Sequence, residues 1–552
     1  MTTSVSVSMQ VNQANLVKSL RFSFTHKTTV LGELMQNARR AKATYVGFDF
    51  DEATKTLQVT DDGCGIESIA TLLTVAESGW DSDVVAQEHP FGIGFLSALF
   101  ACRHITVASK SGQLSVETAD ILSFKPVTIT PVSHWDNITA LTLVGVDFDL
   151  PQIEKVLKQL ARGFPIPVIL NGNPLARAFA LDSSLEFIDS EIGFVCLQGL
   201  DAPADHCKDI DVYLQGLPIY RSYASYELLQ RHIIHLDSSR FYARLPDRDK
   251  LIDQDDVVSK IKAVLREEIG KHFVRFKATA EPTHFVGFFE MLRAWDLLPL
   301  LNDVPVVPRQ VLEEIVDYPV CNEEVYGSFL SLLPEPLTRP ALEIQGVVSI
   351  DDDIQCDGSA RYLYAKEKGY LVYVGGLDKG HWLHATVMKL DEPVIELVNE
   401  THEACFQGDW VSVTVRFCEA YRIHIGDSNV EITGDALYRG QDKEDDVIMP
   451  KGDASGFVLK QVSSYRDEYD GFQESAHEND SYAFSSFVVA NTASHPADAM
   501  KRLLPGFSGC PALYGKSFAI SINDKGNVES VEPFLPPVSS ERPLTFQATA
   551  TH

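Results

Sequence analysis

Three short pieces, in this order, decide how the sequence is read: ELMQNARRA at 33–41, TDDGCGI at 60–66 and FGIGFLS at 91–97. In the first, Leu31, Leu34, Ala38 and Ala41 recur at helical spacing and predict a helix with a buried stripe. Glu33 and Asn37 lie four residues apart on such a helix, on one face and away from that stripe. A carboxylate and a carboxamide so placed suit phosphate chemistry. Glu33 can orient and deprotonate a water, and Asn37 can offer an oxygen to Mg²⁺. Alone, an ExxxN spacing is an ordinary polar helix surface.

The second piece ends a strand predicted over 56–60, where Leu57 and Val59 alternate before Asp61-Asp62-Gly63-Cys64-Gly65 breaks it. Its glycines allow positive φ and close approach of a flat ligand to the backbone. A carboxylate there can accept a hydrogen bond from an exocyclic amine, although an isolated DG is ordinarily just a turn. In the third piece Gly92 and Gly94 feed an apolar helix predicted over 95–101. A glycine-rich turn at a helix start aims backbone N–H groups at an anion, hence at phosphates. The intervening AESGWDSDVVAQEH (76–89) is polar, weakly patterned and suited to a lid.

ExxxN, DxGxG, a lid segment and GxGxxS in this order resemble the signature of the GHKL ATPase superfamily, the Bergerat fold. Within it, TVAESG (74–79) and FGIGFLSALFACRHITVASKSG (91–112) resemble the lid and phosphate loop of the ninety-kilodalton heat-shock chaperones. SMQVNQANLVKSLRFSFTHKTTVLGEL (8–34) follows the same pattern, and the resemblance implies an N-terminal strand at 4–11 that swaps between subunits. It also implies ATP and Mg²⁺ as cofactors. Adenine would lie on Asp61 with Gly63, Gly65 and Ile66, Asp62 being the alternative acceptor. Thr139, in a strand predicted over 137–146, would sit beside the base. Thr142 is the alternative, since one residue of slip moves a side chain to the opposite face. Asn37 would hold Mg²⁺, Ser78 and Gly79 belong to the lid, and Phe91, Gly92, Ile93, Gly94 and Phe95 would cover the phosphates. Glu33 would be the general base.

LPDRDKL (245–251) resembles the chaperone loop that supplies an arginine to the γ-phosphate, which puts Arg248 in that role with Arg244 as its rival. Arginine suits the task because its charge is permanent and its donors are forked. Two positions depart from the family pattern. Arg40 stands where an Asp is usual and Glu77 where a Lys is usual, so both charges are reversed. One turn beyond Asn37, Arg40 belongs to the nucleotide side of its helix, where it can pair with Glu77 or Asp81 of the lid or reach a phosphate, and the reversed charge at Glu77 favours the lid pair.

At 552 residues the chain is expected to hold several domains. We divide it into a GHKL domain at 1–176, a chaperone-like middle domain at 177–278 and a helical linker at 279–340. A β-rich domain at 341–450 and a C-terminal α/β segment with an acidic loop at 451–552 complete it. The fold class is α+β: a Bergerat-type α/β sandwich, an α/β middle domain, then a helical linker and a β-rich region. Beyond the first two domains, helices are predicted at 285–301, 308–317 and 496–504. Strands are predicted at 347–350, 362–365, 370–376, 381–390, 410–425, 482–490 and 517–522, and 440–480 reads as a long acidic loop.

The net charge of −30 is uneven, since residues 301–500 hold 14 Lys and Arg against 36 Asp and Glu. Such acidity disfavours nucleic acid and leaves a solvated surface or a basic partner. The nine scattered cysteines never form CxxC and read as reduced buried thiols of a cytoplasmic protein. No apolar run reaches membrane-spanning length, and the N-terminus has no basic-then-apolar pattern. His381, His384, His402 and His424 lack ligand spacing and read as structural; Cys207 beside His206 lacks a third partner for nucleophilic work.

The resulting expectation is a slow ATPase switch resembling the heat-shock chaperone, a homodimer acting on a protein partner through 280–552. A DNA-linked GHKL ATPase of MutL or MORC type is one alternative; an ATP-liganded scaffold with little hydrolysis is another. A histidine kinase lacks support, because no dimerisation helix with a phosphoacceptor histidine precedes the motifs.

Overall fold

The computed structural model describes residues 8, 12–21, 26–74, 77, 80, 94–203, 207–222, 230–244, 250–351, 358–440, 445–504 and 506–534. The chain forms two compact units. One comprises Met1–Val311, Leu333–Glu343 and Gly375–Thr386; the other comprises Leu312–Leu332, Ile344–Val374 and Val387–His552.

The first unit begins with helices α1 (Gln13–Arg21) and α2 (Thr29–Arg40), then strands β1 (Val46–Asp51) and β2 (Thr56–Asp61). Helix α3 (Gly94–Ala101), strands β3 (His104–Ser109) and β4 (Gly112–Glu117), helix α4 (Thr118–Leu122) and strands β5 (Ile129–Thr130) and β6 (Thr139–Val144) follow. Helix α5 (Leu150–Ala161) and strands β7 (Val168–Leu170) and β8 (Asn173–Pro174) complete an eight-stranded sheet of order β5-β4-β3-β6-β2-β1-β7-β8. Only β1 and β7 pair in parallel. Leu57 and Val59, Ile105 and Val107, and Leu141 and Leu143 alternate inward and share one core with Val30, Leu31, Leu34, Met35 and Ala38 of α2 and Leu96 and Leu99 of α3. A sheet covered by helices on one face explains that period-two burial. Helix α5 starts on a capping box: Asp149 accepts the Gln152 N–H at 2.9 Å, and the Gln152 side chain accepts the Asp149 N–H at 3.1 Å.

A second sheet in this unit has the order β12-β11-β13-β10-β9, built from β9 (Ile188–Ser190), β10 (Gly193–Cys196), β11 (Ile210–Leu214), β12 (Leu217–Arg221) and β13 (His232–Leu236). β11 and β13 run parallel at its centre and are buried along their whole length. Helix α6 (Gln254–Lys277) follows, and its Phe273 and Phe276 pack edge-on against Phe288.

Beyond α6, in both units, several expectations are corrected. Residues 308–317 are a 3-10 turn, Arg309–Val311, running into the strand Leu312–Ile315. The buried positions 311, 312 and 315 imitate helical spacing, but pairing with Leu330–Leu332 and Leu371–Tyr373 makes the segment a strand. YLYA lies in the helix Ser359–Lys368, which ends at Gly369 with φ 68°, the left-handed helix stop. Residues 482–490 belong to the helix Glu474–Thr492, whose narrow buried stripe is Asp480, Phe484 and Val488. HWLHATVMKL holds a 3-10 turn, Trp382–Ala385, and only a short strand, Met388–Lys389. Residues 285–301 break into Pro282–Val286, Phe289–Ala294 and the 3-10 turn Leu298–Leu301.

Nor is 440–480 simply a long loop: Asp446–Pro450 is a fully buried strand between Ser412–Cys418 and Leu437–Arg439. The expected strand at 4–11, apart from residue 8, and the lid at 76–89, apart from residues 77 and 80, lie outside the described residues. Among the described residues no helix is long and apolar enough to cross a membrane.

Asp480 shows how the second unit holds its loops. It is 1% exposed and accepts the backbone N–H groups of Asp409 and Trp410 and the hydroxyl of Tyr465. Asp480→Ala strands the buried Tyr465 hydroxyl and two part-buried N–H donors and is expected to cost about 2 kcal/mol, read as a lower urea midpoint of the full chain. An unchanged midpoint would show that those donors find other acceptors.

Candidate nucleotide site

Three polar residues occupy inward positions at one end of adjacent strands. Asp61 continues the Leu57–Val59 parity of β2, Thr139 that of Leu141 and Leu143 in β6, and Ser109 that of Ile105 and Val107 in β3. Asp61 stands directly opposite Thr139 in the β2–β6 register. Thr139 Oγ1 and Ser109 Oγ are 3.0 Å apart, and Ser109 Oγ also accepts the Ile66 N–H at 2.8 Å. Asp61 accepts the Gly63 N–H at 3.0 Å. Burial, assisted by the charge of Asp62, pushes the Asp61 carboxyl above its ordinary pKa. A half-buried, proton-hungry acceptor at a strand end can take a hydrogen bond from an amine.

The alternatives sit elsewhere. Thr142 pairs with Gln58 and Thr106 at the opposite parity, on the other face. Asp62 accepts the backbone N–H of Thr44 at 2.7 Å, its hydroxyl, and the Tyr45 N–H at 3.3 Å. Burial would raise its pKa, but these hydrogen bonds outweigh it and hold the carboxyl below the usual range.

The loop after β2 docks on the end of α2. Cys64 N–H donates to Ala41 O at 2.8 Å, and a Cβ on Gly63 would fall 2.5 Å from Ala41 Cβ and 2.7 Å from its carbonyl oxygen. Gly65 has φ 76° and lies under Trp135, whose ring atoms would be 2.8 and 2.9 Å from a Cβ there. The Trp135 indole is fixed by its own N–H donating to Ile138 O at 2.8 Å.

On α2, Glu33 is 6% exposed and Asn37 half-buried one turn on. The Glu33 carboxylate reaches the first residue of α3: a Cβ on Gly94 would collide with Glu33 Oε2. Ser97 tightens that turn by donating to Gly94 O at 2.6 Å. Phe95 and Ile66 pack on the shared core. Glu33 and Asn37 thus present oxygens of the kind a hard cation takes, beside Gly94 at a helix start. Arg40 is buried in the last turn of α2, where a cation suits the helix dipole, so it is not a solvated surface residue. Glu77 is exposed.

Ser78, Gly79, Asp81, Phe91, Gly92, Ile93 and Arg248 lie outside the described residues, as does His206. Arg244 lines a cavity of about 450 Å³ with Lys250, Leu251, Asp253, Gln254, Asp255 and Asp256. No residue of the three motif pieces lines it. Cys207 donates to Gln230 O at 2.9 Å, and burial lifts its thiol to about 12, which suits packing and not nucleophilic attack. Among the eight described cysteines, all free, Cys64, Cys405 and Cys510 are exposed, which corrects the expectation of buried thiols.

The histidines each have local contacts. His381 accepts the Leu383 N–H, His384 meets Asp378 O, His402 stacks on Phe417, and His424 meets Glu396. His381 and His384 border or lie in a 3-10 turn, not in a strand.

Ser109 and Trp135 were not singled out from the sequence. For Ser109 the signal was present, since a serine at the apolar parity of β3 is out of pattern. Trp135 lies in an irregular segment and carries no periodic signal.

Residues 25–140 match the family model described as "Histidine kinase-, DNA gyrase B-, and HSP90-like ATPase", so this stretch is similar to GHKL-type ATPase domains, a type that suggests nucleotide binding. No curated protein matches the chain.

The raised pKa of Asp61 has a signed consequence. Its carboxylate form is penalised in the native state, so the native state holds the proton more tightly than the unfolded chain. Stability from this group is present at low pH and lost as pH rises through the raised value. Asp61→Asn is therefore expected to be at least as stable as wild type at pH 7, the difference narrowing toward the ordinary carboxylate range. It is also expected to lose nucleotide binding. Thermal unfolding across pH, with calorimetric titration of ATP, checks both; a destabilised Asn variant would contradict the burial argument.

Proposed function

We propose that the chain is an ATP-binding, slowly hydrolysing conformational switch resembling the heat-shock ninety chaperones. The observation that carries this reading is the meeting of two half-sites around α2: Asp61 with Thr139 and Ser109 at one end, and Glu33 against Gly94 at the other. Asp61 accepts the adenine amine, with Thr139 and Ser109 completing the polar floor and Gly63, Gly65 and Ile66 forming the adjoining wall. Asn37 is the residue that would hold Mg²⁺, which when bound neutralises phosphate charge. Glu33 orients a water and takes its proton, and its enclosure keeps bulk water from competing.

In this reading Ser78 and Gly79 belong to a closing lid, and Phe91, Gly92, Ile93, Gly94 and Phe95 cover the phosphates. Arg248, or its rival Arg244, reaches the γ-phosphate from the second sheet's side. The five-part division of the chain, a homodimer closed by ATP, a cytoplasmic setting and a protein partner on 280–552 complete the proposal. The DNA-linked alternative shares the same nucleotide chemistry, and stimulation of turnover by DNA would favour it.

Glu33→Ala is expected to keep ATP affinity and lose about 10²–10⁴-fold in single-turnover hydrolysis. Hydrolysis at the wild-type rate would remove Glu33 from the mechanism; no measurable hydrolysis in either protein would favour the scaffold. Arg248→Ala is expected to slow hydrolysis more than it weakens binding, because the loop engages only in the closed state. The same pattern for Arg244→Ala, with Arg248→Ala silent, would reassign the arginine.

A further inference from the structure

Helix α2 carries more than the chemistry. Its face about 100° round from Glu33 and Asn37 holds Gly32 and Gln36, and that face touches the second sheet. Gln36 is 1% exposed, and both ends of its amide are engaged. Nε2 donates to Gln215 O at 3.1 Å, and Oε1 accepts Arg39 Nε at 2.9 Å. One turn earlier, a Cβ on Gly32 would lie 3.6 Å from Leu160 and 3.8 Å from Leu217. Gln215 and Gly216 form the turn between β11 and β12, and Leu217 opens β12.

That turn is held tightly. Gln215 and Gly216 both have positive φ, 53° and 81°, as a two-residue hairpin of primed type requires. A Cβ on Gly216 would fall 2.5 Å from Pro165 Cδ and 3.0 Å from Gly163 O, and Gly163 itself has no room for a Cβ against the Tyr213 ring of β11. Arg177 pins the same strip by donating to Phe164 O and Pro165 O, each at 2.7 Å. The turn cannot slide without breaking these contacts, so it is a fixed point against the 163–165 strip.

We propose that Gln36 is a positioning residue for the nucleotide chemistry. By tying α2 to the β11–β12 turn it sets the rotation of the helix that presents Glu33 and Asn37. It also makes the second sheet a sensor of where that helix stands. A buried amide suits this task, because its Nε2 donates across to a carbonyl of the β11–β12 turn while its Oε1 bond to Arg39 travels with the helix, so a rotation of α2 breaks the cross-sheet bond. An apolar contact alone would tolerate a slip. The inference rests on the ATP reading above.

The test is Gln36→Leu, which keeps the bulk and removes the donor, with Gln36→Met as a second packing variant. Calorimetric ATP binding, single-turnover hydrolysis and hydrogen exchange of 210–222 with and without a non-hydrolysable ATP analogue are measured on the full chain. In wild type the analogue is expected to change exchange at 210–222. In the variants ATP affinity stays within about threefold, hydrolysis falls about 10–100-fold and that exchange response disappears. Unchanged exchange at 104–117 in both variants reports that the first sheet is intact. Wild-type hydrolysis with the response retained overturns the inference, as does a wild type that binds ATP without any change at 210–222. A wild type that binds no ATP overturns the nucleotide reading itself, and this inference with it.

Discussion

The site depends on how closely the loop after β2 approaches the end of α2. Gly63 lies where a Cβ would overlap Ala41, and the Cys64 N–H closes the contact on the Ala41 carbonyl. That contact fixes the end of β2, and so Asp61, relative to the helix bearing Glu33 and Asn37. At the other side of the same helix Gly94 admits the Glu33 carboxylate where any side chain would exclude it. Two glycines at van der Waals limits therefore set the distance between a base-binding end and a phosphate-handling end. Neither can be exchanged for alanine without moving backbone.

Polar residues at core-facing positions carry a cost, and three of them meet at the ends of β2, β3 and β6. Thr139 and Ser109 satisfy each other, and Ser109 also takes the Ile66 N–H. Asp61 is the member left under electrostatic penalty, with its pKa raised by burial. An isolated core would not keep such a group, since an amide of the same shape would be no less stable. Its presence beside a satisfied pair, at the open end of three strands, is what a ligand-binding floor looks like in energetic terms.

The first 176 residues were largely legible because their signals are local. The period-two runs gave β2, β3 and β6, the helical stripe gave α2, and the glycine-bearing loops fell between them. Thr139 and Thr142 could not be separated from the sequence, because the choice depends on register, and register is set across strands. Further along, intrinsic preference misled. Tyr482, Phe484, Phe487, Val488 and Val489 favour strands, yet they lie in a helix whose buried stripe is only Asp480, Phe484 and Val488. Tyr362 to Ala365 are all buried, so no alternation remained to mark them as helical; the stop at Gly369 was the usable signal. Gln36 escaped notice because its partner is a backbone carbonyl 179 residues away, which no spacing rule reaches.

Part of the acidity of 301–500 does internal work. Asp453 accepts the N–H groups of Ala436 and Ser455, and Asp467 those of Tyr469 and Gly471. Asp480 ties a loop to a helix, and Asp446 accepts Arg439 from within a buried strand. On the three-stranded sheet Arg422 lies between Glu396 and Glu431, and Glu400 holds Arg416 on the neighbouring sheet. Many of the acids are therefore acceptors that close turns or pair across strands, tasks for which a short carboxylate suits the geometry. They do not by themselves call for a basic partner. A surface that recruits one would have to be built from acids with no such internal work, and it is the position of those, more than the net charge, that would define it.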